Sequence, residues 1–167
     1  MADGARIMKP RLSSVLVTDT VMLARDMRAD EKDQFCAVMG LTEYDADLAA
    51  RVFIGFTGPS YCLVDGDGTP LVIAGFEQVR PKVWQAWMAG TPNAWRTQWK
   101  RITRECKRIG DALLASGDAN RLQILALPER TAAHRWYEAL GYRLEGRREQ
   151  FFADGRDAVC YVKTRAR

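Results

Sequence analysis

Residues 131–146 read TAAHRWYEALGYRLEG, and the hydrophobic period changes within them. Ala133, Trp136, Tyr137 and Leu140 fall on one face of a helix predicted over Glu129–Leu140. Gly141 follows as the stop, since glycine accepts the left-handed conformation that ends helices. From Tyr142 the pattern is that of a strand to Phe152. A second strand over Ala158–Lys163 returns from it through Asp154-Gly155, a hairpin signal.

Upstream of this unit, Leu122–Leu127 (LQILAL) is nearly continuous in apolar character, as expected of a strand covered on both faces. Before it, Trp95, Trp99, Ile102, Cys106, Ile109 and Leu113 are spaced four, three, four, three and four. That spacing predicts one long amphipathic helix, capped by Asn93 and stopped by Gly117, with both tryptophans on its buried stripe. Tyr61–Val64, Leu71–Phe76 and Val83–Met88 read as a strand meander. Its first turn, Asp65-Gly66-Asp67-Gly68, lacks the closing Glu of a calcium loop and reads as a hairpin. At the front, Ser14–Thr18 reads as a strand, and Asp19 and Thr20 as caps of a helix over Val21–Met27. Two more helices follow. One, starting at Asp30 and stopped by Gly40, sets Phe35, Val38 and Met39 on one face. The other, from Tyr44, carries Leu48, Val52 and Phe56 and ends at Gly58-Pro59. The order predicts one α/β domain over residues 13–167, behind an N-terminal extension of residues 1–12.

The 167 residues are 47% hydrophobic and 28% charged. No apolar run reaches the ~20 residues that cross a bilayer, and no apolar signal core follows Met1. Cys36, Cys62, Cys106 and Cys160 are dispersed and His134 is the single histidine, which argues against a metal site and for a reducing, cytoplasmic setting. Charge is unevenly placed. Eight acids lie between Asp19 and Asp47, whereas Arg96, Lys100, Arg101, Arg104, Lys107 and Arg108 face Glu105 alone. A basic helix face of this kind suits water or an anionic partner.

Ala133, Tyr137, Leu140, Gly141, Tyr142 and Gly146, with the closing Asp-Gly hairpin, resemble the penultimate helix and following strands of the GNAT (Gcn5-related N-acetyltransferase) superfamily. The element order agrees from Ser14 to Lys163. The resemblance implies a GNAT-like mixed, mostly antiparallel sheet with helices on both faces. At its centre, Val83–Met88 and Arg121–Leu127 form a parallel, splayed pair. It implies acetyl-CoA as cofactor, its pantetheine arm against the backbone of Trp87, Met88 and Ala89. Its pyrophosphate is expected at the start of the long helix, near Thr91, Asn93, Ala94 and Arg96, where free N–H groups and the helix dipole meet an anion. Arg130 falls where the family often has Asn. Tyr137 takes the place of the acid that protonates the departing thiolate, and Glu77 is the nearest carboxylate for a base. His134 is a further base candidate on pKa grounds.

The phosphate loop departs from the family pattern. In place of glycines it has Thr91-Pro-Asn-Ala-Trp-Arg-Thr-Gln98, with a bulky Trp95 and with Pro92 lacking an N–H. Two readings follow. One is an acetyl-CoA-dependent N-acyltransferase acting on an amine or protein acceptor in a bacterial cytoplasm, through a glycine-free loop. The other is a non-catalytic GNAT-fold interaction protein, such as a bacteriophage virion component with phage structural partners; Trp84–Pro92 resembles such proteins. A nucleic-acid binder using Arg96–Arg108 is disfavoured, because pI near 9.0 is modest and no exposed stacking aromatics are evident.

Overall fold

The structure, a computed structural model describing residues 11–165, builds a sheet in the order β1-β2-β3-β4-β5-β7-β6. The strands are β1 (Arg11–Ser13), β2 (Ser60–Val64), β3 (Pro70–Arg80), β4 (Val83–Gly90), β5 (Arg121–Ala126), β6 (Arg143–Arg148) and β7 (Ala158–Thr164). Helices α1 (Val17–Arg25), α2 (Ala29–Met39) and α3 (Ala46–Ile54) precede β2; α4 (Pro92–Ala115) joins β4 to β5, and α5 (Thr131–Ala139) joins β5 to β6. Among the described residues every strand pair is antiparallel except β4–β5. The predicted mixed sheet with its parallel central pair is therefore what forms.

That pair is short. Val83, Trp84 and Gln85 align with Arg121, Leu122 and Gln123, and there the pairing stops. Beyond it β4 stays with β3 as far as Gly90, and β5 stays with β7 as far as Ala126. The two strands thus leave a V-shaped gap, and their facing backbone edges need other partners.

Strand alternation sends side chains to opposite faces. Cys62, Val64, Ile73 and Ala89 pack with Leu23, Ala24, Phe35 and Ala49 of α1–α3. Leu63 and Val72 go to the other face with Ala94 and Ile102 of α4. Next to them Leu122, Ile124, Tyr137 and Tyr142 pack with Leu114. Leu122 is fully buried, so truncating it to Ala costs about 2–5 kcal/mol.

Five local expectations are corrected. The first strand is Arg11–Ser13 rather than Ser14–Thr18, and the helix begins at Val17, because the Asp19 carboxylate accepts the Leu16 N–H at 3.0 Å from inside the first turn. Arg11 and Leu12 pair with Val64 and Leu63, so the sheet starts within the stretch read as an extension; residues 1–10 of that stretch lie outside the described residues. β3 runs on to Arg80, putting Glu77 inside the strand, because the chain turns through Lys82 at φ 60° without a glycine to announce it. Finally, Thr91 rather than Asn93 caps α4, its hydroxyl accepting the Ala94 N–H at 3.2 Å. Trp99 is 52% exposed instead of buried, while Ile102 in the next turn is 2% exposed.

Candidate active site

Helix α2 lies across the open end of the V and is tied to both of its arms. On the β4 side, the Glu31 carboxylate accepts the Gly90 N–H at 2.7 Å, and the Gly90 carbonyl accepts the Arg28 N–H at 3.1 Å. On the β5 side, the Gln34 side-chain oxygen accepts the Leu127 N–H at 2.8 Å, and Asp30 accepts from the Arg130 guanidinium at 2.9 and 3.2 Å. These contacts satisfy edge groups that separated strands cannot give each other. They also place Asp30, Glu31 and Gln34, one turn of one helix, at the head of the gap.

Two cavities enter the gap from opposite faces. One, of about 200 Å³, lies under α1–α3 and is walled by Phe35, Val38, Val52, Phe53, Phe56 and Trp87. The other, of about 240 Å³, lies between α4 and α5 and is walled by Arg28, Trp95, Trp99, Ala133 and Trp136. Glu31, Met88, Arg130 and Tyr137 line both. The two cavities therefore adjoin at these four residues.

The electrostatics there are unusual for so apolar a setting. Glu31 is 5% exposed, and burial raises its carboxyl from 4.5 to about 7, against the Gly90 N–H and the Arg28 and Arg130 cations. Arg28 Nη1 is 3.9 Å from the Glu31 carboxylate, and Arg28 Nη2 is 2.9 Å from Asp30, so its charge is shared between them. Burial also pushes the Tyr137 phenol above its ordinary value, with Arg130 opposing and Glu31 reinforcing the shift. A carboxyl near 7 suits a general base at neutral pH, and a phenol held neutral suits a proton donor.

The sequence-predicted residues divide. Tyr137, Arg130, Met88 and Trp87 come together at the cavities. Ala89 is fully buried on the α1–α3 face. Glu77 lines neither cavity; its carboxylate accepts the Gly58 N–H at 2.6 Å and the Thr57 hydroxyl at 3.4 Å, closing the turn before β2. His134 is engaged through Nε2 with the Leu127 carbonyl at 3.0 Å. Nothing in the sequence singles out Glu31 and Arg28. In sequence they read as the ordinary charges of a helix start, and the contact that distinguishes Glu31 is 59 residues away.

The fit to acetyl-CoA differs along the molecule's length. The gap and the α4–α5 cavity suit the narrow pantetheine arm. The start of α4 is a poor seat for the pyrophosphate. Pro92 has no N–H, the Ala94 N–H is taken by the Thr91 hydroxyl, and the Trp95 N–H is directed to the Thr91 carbonyl at 3.4 Å. The Trp95 indole covers Gly90 so closely that a Cβ there would lie 2.9 Å from its Nε1. Asn93 and Arg96 are exposed and bonded to each other at 2.9 Å.

No protein-family model and no curated protein matches this sequence. Solved structures do match. A GNAT-family acetyltransferase from Bacillus anthracis superposes with a TM-score of 0.71 at 11% identity, covering 96% of this chain and 97% of its own. A ribosomal-protein-alanine N-acetyltransferase from Escherichia coli gives 0.67 at 18% identity, with 95% of each chain covered. A ribosomal-protein α-N-acetyltransferase in complex with coenzyme A gives 0.68 at 12%, covering 93% of this chain and 94% of its own. With the splayed β4–β5 pair and the Tyr137 helix in place, the chain has the fold of the GNAT superfamily of acetyltransferases.

Proposed function

We propose that the protein is an N-acyltransferase that takes its acyl group from acetyl-CoA and passes it to an amine. The observation that carries this reading is the meeting of two cavities at Glu31, Met88, Arg130 and Tyr137. One chamber on each face, both lined by Glu31 and Tyr137, is what a two-substrate transfer needs. Acetyl-CoA supplies an acyl group activated as a thioester. The β4 edge at Met88 and the walls Ala133 and Trp136 hold the arm of the donor, and Arg96 stands outside as the cation for its phosphates.

The chain's own residues do the proton work. Glu31 takes a proton from the acceptor ammonium, leaving the amine nucleophilic; its carboxyl, near 7, exchanges protons readily at neutral pH. The amine attacks the thioester carbon, the C–N bond forms as the C–S bond breaks, and Tyr137 gives its proton to the departing thiolate and recovers one from the new amide nitrogen. Arg130, held by Asp30, keeps positive charge beside both. Met88 and the indoles exclude water from the gap, which strengthens each of these interactions. Glu31 takes the role for which Glu77 was the nearest sequence candidate.

A second reading, a non-catalytic GNAT-fold interaction protein such as a virion component, is favoured by one observation: Trp95 sits where close-approaching phosphates need open backbone. The experiment that separates the two is the thermal midpoint with acetyl-CoA. A ligand bound only by the folded state raises it in proportion to ln(1 + [L]/Kd). A rise supports the enzyme; an unchanged midpoint at millimolar acetyl-CoA supports the interaction protein.

A further inference from the structure

The cavity under α1–α3 has a one-sided chemistry. Its walls are aromatic and branched: Phe53 stacks on Trp87 with centroids 5.6 Å apart, Phe56 lies 4.7 Å from the same indole, and Phe35 packs on Phe53 at 6.0 Å. Its rim continues in the same character, with Val38 47% and Met39 38% exposed on α2. Charge enters only at the inner end, where Glu31, Arg130 and Tyr137 join it to the second cavity. Arg130 is already matched by Asp30, whereas one Glu31 oxygen, Oε2, bonds Gly90 and the other, Oε1, has only Arg28 at 3.9 Å.

We infer that this cavity seats a primary amine with a compact apolar body, aromatic or branched aliphatic, whose ammonium points inward to Glu31. The size agrees: an apolar cavity of about 150 Å³ holds benzene, and this one is about 200 Å³. The exclusions follow from the same lining. A polyamine needs a second anion several ångströms from the first, and an apolar wall that lacks one leaves the second ammonium desolvated and unpaired. Of the polar lining, the Gln34 amide oxygen is taken by the Leu127 N–H and the Gln85 amide oxygen by the Gln123 side chain. An apolar body gains by leaving water, at roughly 25 cal/mol per Å² of surface.

The inference rests on the acyl-transfer reading only for the direction of the ammonium, and binding tests it without turnover. Calorimetric titration of the full chain, with no acyl donor, at about pH 8 where Glu31 is ionised, compares phenethylamine, its neutral counterpart 2-phenylethanol, butylamine and spermidine. Phenethylamine is expected to bind at least about tenfold tighter than each of the others. Glu31→Gln, which keeps an acceptor for Gly90 and removes the charge, should bring phenethylamine down to the affinity of 2-phenylethanol. Spermidine binding as tightly as phenethylamine, or no binding of phenethylamine, overturns the inference. Phenethylamine bound but never acylated instead contradicts the acyl-transfer reading and leaves the binding site standing. Acylation of spermidine in preference to phenethylamine contradicts the inference and leaves the acyl-transfer reading standing.

Discussion

The Glu31 carboxylate, 5% exposed, accepts the Gly90 N–H at 2.7 Å where α2 meets the end of β4. A carboxylate in that position has two effects. It fixes the end of β4, so the gap keeps its width, and it puts a titratable oxygen where two cavities meet. It also occupies, with a negative group, one of the amides nearest the start of α4. The same residue thus favours acid–base chemistry in the gap and disfavours a phosphate beside it.

If Glu31 is the base, Glu31→Gln should lower kcat/KM by about 10²–10⁴-fold while leaving the fold intact, because the amide oxygen still accepts from Gly90. The check is steady-state thiol release alongside circular dichroism. A loss of less than about threefold would remove Glu31 from the reaction.

Glu31 also makes stability depend on pH in a definite direction. Its carboxyl is raised from 4.5 to about 7 on folding, so between those values the folded chain binds a proton that the unfolded chain releases. This contribution is fully present below about pH 4.5, declines as pH rises toward 7, and is lost above it. The interval corresponds to about 3 kcal/mol. Denaturant midpoints measured across it should fall with pH in the wild type. Glu31→Gln should remove that decline and be the more stable protein at about pH 8.

Tyr137 separates chemistry from packing. It is 7% exposed and packs against Tyr161 at 5.5 Å, contacts that phenylalanine retains. Its hydroxyl has no hydrogen-bond partner among the described residues, so losing it costs little stability. Tyr137→Phe should hold its thermal midpoint and lose turnover by about 10²–10⁴-fold. Unchanged turnover would show that the thiolate is protonated by another group.

The two tryptophans at the start of α4 should behave in opposite ways. Trp99 is half exposed, so Trp99→Ala should cost under about 1 kcal/mol. Trp95 meets Trp136 edge-on at 5.0 Å and covers Gly90, so Trp95→Ala should cost about 3 kcal/mol. The same change removes the indole that covers the approach to the start of α4 and should tighten coenzyme A binding by about tenfold, read by calorimetry. Weaker binding in that variant would mean the indole is part of the seat.

What the sequence discloses of this fold is local. The Gly40 and Gly141 stops, the stripe through Ile102 and Leu122–Leu127 each report on their own neighbours, and they are enough to order the elements. The outer stripe misleads at Trp99, because the buried face of α4 runs through Ala94 and Ile102 and leaves Trp99 at its margin. The turn at Lys82 carries no glycine, so the length of β3 could not be read. Of the site, Tyr137 was visible because a motif surrounds it. Glu31 was not, since burial and a partner 59 residues distant are properties of the folded chain.

The most direct test of the account is amine-dependent thiol release from acetyl-CoA, with phenethylamine as acceptor, followed from about pH 6 to about pH 9. Release should require both substrates, rise with a single ionisation near 7, and disappear in Glu31→Gln and Tyr137→Phe. Thiol release that is absent at every pH with every amine, together with a thermal midpoint unmoved by acetyl-CoA, would contradict it.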